Sequence, residues 1–168
     1  NISTFHAFGE KILTEYAFNL GINTDFNLLS TDEQVMFFNE RIFSFDLKHF
    51  RPNSNPLKYV RTIISFISRC KDELLSPKDI IDYAKNLTKK AKNKDEILSA
   101  EKYLELGYIY KQYQNLMLDE GFMDFGDQIN LVIKLLQKHP DIRKKIISNF
   151  KYILIDEYQD TNYAQNIL

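Results

Sequence analysis

Lys151-Tyr152-Ile153-Leu154-Ile155-Asp156-Glu157-Tyr158-Gln159-Asp160-Thr161-Asn162 decides how this chain is read. An unbroken apolar run, Tyr152 to Ile155, ends in two adjacent carboxylates, and a third, Asp160, follows after two residues. This pattern predicts a buried strand that delivers acid to a sheet edge. In open α/β sheets, ligands bind in the crevice beyond the carboxyl ends of the strands. An acidic pair there can hold a hydrated Mg²⁺ through one carboxylate and orient a water for phosphoryl transfer with the other. The plainer alternative is that Asp156 and Glu157 leave the strand and begin a solvated loop.

Composition narrows the setting. At 168 residues, the chain fits one domain of ordinary size or one small domain with parts of another. Apolar residues make up 44% and aromatics 14%, enough for a real core, so disorder is not the expectation. Only 5 Gly and 4 Pro argue against an all-β chain, which needs many tight turns. The net charge of −1 predicts neither nucleic-acid nor membrane binding from bulk electrostatics, so any nucleic-acid contact has to be local. A single cysteine, Cys70, excludes an internal disulfide and a multi-cysteine metal site, which suits a reducing cytoplasm. No run of about 18 apolar residues indicates a transmembrane helix. The N-terminus carries no initiator Met and no signal sequence, and the C-terminus stops just inside a helix, so both ends read as cut from something longer.

Outward from the opening stretch the chain is helical. Ile2 to Thr4 reads as the end of a strand, followed by Phe5, Phe8, Ile12, Leu13 and Tyr16 at helical spacing and by Gly21 as a C-terminal cap. Ser30 and Glu33 have the spacing of a capping box for a helix that carries Val35, Phe37, Phe38, Ile42, Phe43, Phe45 and Leu47. Asn55-Pro56 starts another helix through Cys70, and Ser76-Pro77-Lys78-Asp79 a shorter one. Lys85 to Lys94 reads as a basic helix end plus an exposed connection, which can meet a phosphate backbone or simply be solvated. The longest periodic segment runs from Asp95 to Glu120, where the tyrosines suit packing better than base stacking. Asp124-Phe125-Gly126-Asp127 caps the next helix, and His139-Pro140 breaks it before a short one. The expected fold class is therefore mainly α: a helical insert flanked by two short parallel strands of an α/β sheet.

Three separated stretches now stand together: Thr4-Phe5-His6, Asp124-Phe125-Gly126-Asp127 and the block Asp156 to Asn162. In this order, with a helical block of this size between the first two, they resemble the UvrD/Rep type of superfamily 1 DNA helicases. The resemblance runs end to end and is strongest at the terminal motifs. It implies that residues 1–14 belong to the P-loop-type motor subdomain 1A, residues 15–121 to the helical subdomain 1B, and residues 122–168 to the return into 1A.

The same resemblance implies the site. Asp156 and Glu157 are the metal-side carboxylates of a Walker B motif, Glu157 being the general base for the attacking water. Asp156, Glu157, Gln159 and Asp160 serve bound ATP and its Mg²⁺, with Glu157 and Gln159 catalytic. Thr4, Phe5 and His6 line a channel for single-stranded DNA. Read without the resemblance, Thr4 is a helix cap and Phe5 a core residue. Gln128 stands where the family usually has an apolar residue. No Gly-rich phosphate loop occurs in these 168 residues.

The implied parent is a cytoplasmic, nucleoid-associated, ATP-dependent helicase. It moves 3′ to 5′ on single-stranded DNA and at single/double-strand junctions, while the isolated chain is monomeric, inactive and away from membranes. Two other readings stay open: the motor part of a helicase-nuclease subunit, and a non-catalytic helical module that binds DNA or protein.

Overall fold

Thr4 opens the first helix, α1 (Phe5–Leu20): its backbone is extended and its hydroxyl accepts the Ala7 N–H at 3.1 Å. Gly21 closes the helix at φ 66°, in the left-handed region that a residue without a Cβ enters freely. The structure is a computed structural model that describes residues 2–21, 26–51 and 57–168. The expected helix start at Asn55-Pro56 lies outside the described residues.

After α1 come β1 (Asn27–Leu29), α2 (Thr31–Glu40), a 3₁₀ turn at Ile42–Ser44, α3 (Leu57–Asp72), α4 (Pro77–Lys90) and α5 (Lys94–Asp119). They are followed by β2 (Phe122–Asp124), α6 (Phe125–Lys138), α7 (Pro140–Ser148), a 3₁₀ turn at Tyr158–Asp160 and α8 (Tyr163–Ile167). The expected start signals act as written. Ser30 with Glu33, Ser76 with Asp79, and Asp124 with Asp127 each form a reciprocal capping box.

The mainly α class with two short parallel strands is borne out, but the strands lie elsewhere. β1 and β2 pair in parallel, with Leu28 opposite Met123 and Leu29 opposite Asp124. Side chains alternate across a strand, and this pair feeds two cores. Leu28 and Met123 join Leu13, Val132, Leu135 and Ile142 of α1, α6 and α7, whereas Leu29 and Phe122 join the core of α2 to α5. That second core is built on Phe38, Ile63, Ile67, Tyr110 and Tyr113, all buried. Phe38 stacks on Phe45 at 4.3 Å between ring centroids. Truncating so buried an aromatic to Ala typically costs about 3–5 kcal/mol.

Glycine allows a close helix contact. A Cβ on Gly107 would stand 2.7 Å from Ile81 Cγ1 and 3.1 Å from the Ile81 backbone nitrogen. The bare backbone lets α5 press against α4.

Three expectations are corrected. Tyr152 to Ile155 runs without forming a strand, and Leu154 is 96% exposed. Ile2 to Thr4 is likewise not a strand. An apolar run becomes a strand only when a neighbour takes its backbone groups, and β1 and β2 make the one pairing among the described residues. The helix expected to reach Leu47 stops at Glu40, leaving Phe43 98% exposed. Beyond it the buried Glu105 carboxylate of α5 accepts the N–H groups of Lys48 and His49 at 2.8 Å and of Phe50 at 3.3 Å. Those donors are committed to a side chain, so the chain does not resume a helix after the 3₁₀ turn.

Candidate functional site

The last turn of α3 is where the motif stretches meet. Lys71 sits on the buried face set by Val60, Ile63, Ile64 and Ile67, and its ammonium donates to Asp124 at 2.6 Å and to Asp127 at 2.8 Å. Its side chain is 1% exposed. Asp124 Oδ1 also accepts the Asp127 N–H at 2.9 Å, and Gln114 donates to Asp127 Oδ1 at 3.2 Å.

Gly126 explains how the lysine reaches this place, since a Cβ there would lie 2.9 Å from Lys71 Cβ. Burial alone lowers the affinity of the Lys71 ammonium for its proton, but the charges of Asp127 and Asp124 outweigh it, and its pKa is raised. Burial pushes the Asp127 carboxyl up despite Lys71. One ammonium faces two buried carboxylates, which accounts for both directions: the lysine stays charged and the second carboxylate is incompletely compensated.

Asp72, the next residue, serves a different partner. Its carboxylate accepts the Asn162 side-chain amide at 2.6 Å. Asn162 caps α8 in a capping box with Gln165. Burial raises the Asp72 carboxyl, while Arg69 pulls it down. The His6 ring meets Phe125 edge-on at 4.9 Å. Burial lowers the His6 pKa and the Asp72 charge opposes that. A cleft of about 150 Å³ is lined by His6, Ser68, Asp72, Phe125, Asn162 and Gln165, among others. A larger groove of about 420 Å³ shares Ser68 and Asp72 with it and brings Arg61 and Arg69 to its wall.

The acidic block sits beyond Asn162's tether and faces solvent throughout, from Asp156 to Asp160. Glu157 has φ 50° and ψ 41°, a left-handed conformation that costs a residue with a Cβ about 1–2 kcal/mol. Its N–H donates to Asp156 Oδ1 at 3.0 Å, and the Gln159 amide donates to its carboxylate. The Tyr158 hydroxyl donates to Asn166 at 2.6 Å and thereby ties the block to α8. No ion pair engages Asp156, Glu157 or Asp160 among the described residues. Within the same residues no three His, Cys, Asp or Glu side chains converge as a metal centre. Two adjacent carboxylates open to water fit a cation that keeps most of its own waters.

The expected site residues are thus partly gathered. His6 lies in the cleft with Phe125 and Asn162. Thr4 caps α1, and Phe5 packs beside Ile129, Ile133 and Ala164. Gln128 is 1% exposed and its Oε1 has no hydrogen-bond partner among the described residues. Lys85, Lys89, Lys90, Lys92 and Lys94 are exposed around the end of α4. Lys71, Asp72 and Glu105 are absent from the sequence expectations. For Lys71 a signal exists: it falls four residues past Ile67, on a face otherwise apolar.

No helix among the described residues is long and apolar enough to cross a membrane. Comparison with known proteins adds a relationship over the whole chain. The family described as UvrD/REP helicase N-terminal domain matches residues 1–168. DNA helicase II of Rickettsia typhi is 34% identical over 98% of this chain and 23% of its own length. The ATP-dependent DNA helicase PcrA of Bacillus subtilis is 33% identical over 99% of this chain and 20% of its own length. The ATP-dependent DNA helicase Rep of Buchnera aphidicola is 29% identical over 98% of this chain and 22% of its own length. The chain therefore spans about a fifth to a quarter of the length of these relatives.

Proposed function

This chain belongs to the UvrD/REP helicase N-terminal domain family, and from that premise we propose that it is part of an ATP-dependent DNA helicase or translocase moving 3′ to 5′ on single-stranded DNA. Residues 1–14 and 122–168 are its share of motor subdomain 1A, and residues 15–121 its subdomain 1B. The observation that carries the reading is the exposed acidic block Asp156 to Asp160, without an ion-pair partner among the described residues yet tethered through Asn162 and Asp72 to the cleft that holds His6.

Bound MgATP supplies the phosphoanhydride bond whose cleavage drives movement. Asp156 would help to hold the metal of that nucleotide, and Glu157 would take a proton from the attacking water. Gln159, already donating to the Glu157 carboxylate, keeps that base oriented. Asp160 adds charge beside it. The left-handed backbone at Glu157 fits a residue held for use, since strain of this kind gathers at functional positions. The exposed run Tyr152 to Ile155 suits a strand that pairs within a larger motor sheet.

On the nucleic-acid side, the Thr4 hydroxyl and the His6 imidazole donate to phosphate oxygens, and Phe5 packs behind them. Single-stranded DNA and single/double-strand junctions are the partners. The 168-residue chain alone, which carries no phosphate loop, does not turn over ATP.

The test is DNA-stimulated ATP hydrolysis by the full-length protein. Glu157→Gln should lower it by about 10²-fold or more, the usual weight of a general base. Hydrolysis unchanged in that variant refutes the assignment.

A further inference from the structure

We propose that Asp72, on the last turn of α3, is the positioning residue that holds the acidic block in register with the His6 cleft. The inference rests on the helicase reading and gives that site a coupling element outside all three motif stretches. Its basis is where Asp72 stands.

Two anchors fix the end of α3. Lys71 is clamped to Asp124, the last residue of β2 and the cap of α6, and to Asp127 of α6. Leu74, at φ 56°, turns the chain sharply out of the helix and packs against the cluster of Ile129, Ile133 and Ala164. A left-handed leucine persists only where its surroundings hold it, and here α6 and α8 do. Between these anchors the Asp72 carboxylate has a fixed position.

From that position it reaches both ends of the proposed mechanism. Asn162, two residues past Asp160, gives its side-chain amide to Asp72 at 2.6 Å while its own backbone N–H and Oδ1 are committed to Gln165. Asp72 also lines the cleft with His6, and its charge acts on that imidazole. Lys71 lines the same cleft, but its ammonium is taken up by the buried clamp. Displacement of the acidic block relative to α3 must therefore break one charge-assisted hydrogen bond or carry the His6 cleft along. A bond of this kind, half-buried, is stronger than the same bond in water.

The experiment uses the full-length protein and three variants: Asp72→Ala, Asp72→Asn, and Asn162→Ser, which keeps a helix-capping hydroxyl but loses the amide. The readouts are affinity for a fluorescent oligothymidylate with and without a non-hydrolysable ATP analogue, and ATP hydrolysis with and without DNA. In the wild type, the analogue should shift DNA affinity by a factor in the usual coupling range of about 5–150. Asp72→Ala and Asn162→Ser should each bring that factor close to one, leaving DNA-independent hydrolysis within about twofold, because they remove coupling and not chemistry. Asp72→Asn, which keeps an acceptor for Asn162, should recover part of it.

A coupling factor unchanged in both Asp72→Ala and Asn162→Ser overturns the proposal. So does an equal fall of every readout, which marks a purely structural role. Failure of the helicase reading looks different: the wild type then shows no DNA-dependent hydrolysis, or keeps it in Glu157→Gln.

Discussion

Two acidic clusters in this molecule have opposite fates. Asp124 and Asp127 are buried, share one lysine and accept three further hydrogen bonds, from Gln114 and from each other's backbone N–H. Asp156, Glu157 and Asp160 face water and meet no ion-pair partner among the described residues. Both clusters lie beside helix starts, and both are stretches that family resemblance singles out. The difference teaches how to sort them: carboxylates whose lone pairs are already occupied hold structure, and carboxylates left open are free to bind.

Removing the lysine tests this division most strongly. Lys71→Met leaves two carboxylates buried without a counter-charge and should cost about 3–5 kcal/mol in urea unfolding of the chain. Asp156→Asn or Glu157→Gln, measured alongside, should stay within about 0.5 kcal/mol, as surface substitutions do. Comparable losses at the two clusters would break the comparison.

A smaller effect is expected at the glycine that makes room for the clamp. Gly126→Ala sets a methyl 2.9 Å from Lys71 Cβ and 3.0 Å from its Cδ, and overpacking of that kind costs about 1–3 kcal/mol. Combined with Lys71→Met it should cost less than the sum of the two, because both disturb one contact. Strict additivity would show that Gly126 matters for another reason.

The smallest effect concerns acid. Hydrogen bonds from Ser30 hold the Glu33 carboxyl below its ordinary 4.5, and those from Ser76 hold Asp79 below 3.8. A depressed folded value means that the stability these caps add is complete above the ordinary value and is lost as pH falls through the folded one. Asp127, raised by burial, has the opposite sign, so acid removes no stability through it. Urea midpoints followed downward from pH 5 should fall less steeply in Ser30→Ala and Ser76→Ala, whose caps are already lost. An acid limb unchanged in both variants would place the sensitive carboxylates elsewhere.

Much of this was legible because helix starts are local. Ser30, Ser76 and Asp124 cap their helices through residues three positions away, so a short window of sequence contains the whole interaction. Strands are not local. Tyr152 to Ile155 has the composition of a buried strand and lies open, whereas Asn27 to Leu29, between the Gly21 and Ser30 caps, pairs with Phe122 to Asp124. Lys71 was hidden for a related reason: its partners lie 53 and 56 residues away, and only its place on an apolar face betrays it. The acidic block shows the converse, since its sequence announces chemistry while its contacts explain little beyond a tether to α3.

The parallel pairing of β1 and β2 carries a consequence for how the chain reaches this state. Asn27 and Phe122 are 122 − 27 = 95 positions apart, and the whole α2 to α5 block lies between them. Closing so long a loop repays its entropy only after the intervening helices have collapsed. The α4 and α5 hairpin, joined by a short connection, can nucleate within its own neighbourhood, but the strands must wait. Their amides should gain protection from hydrogen exchange last, so that these three rungs act as the clock hand marking the end of folding.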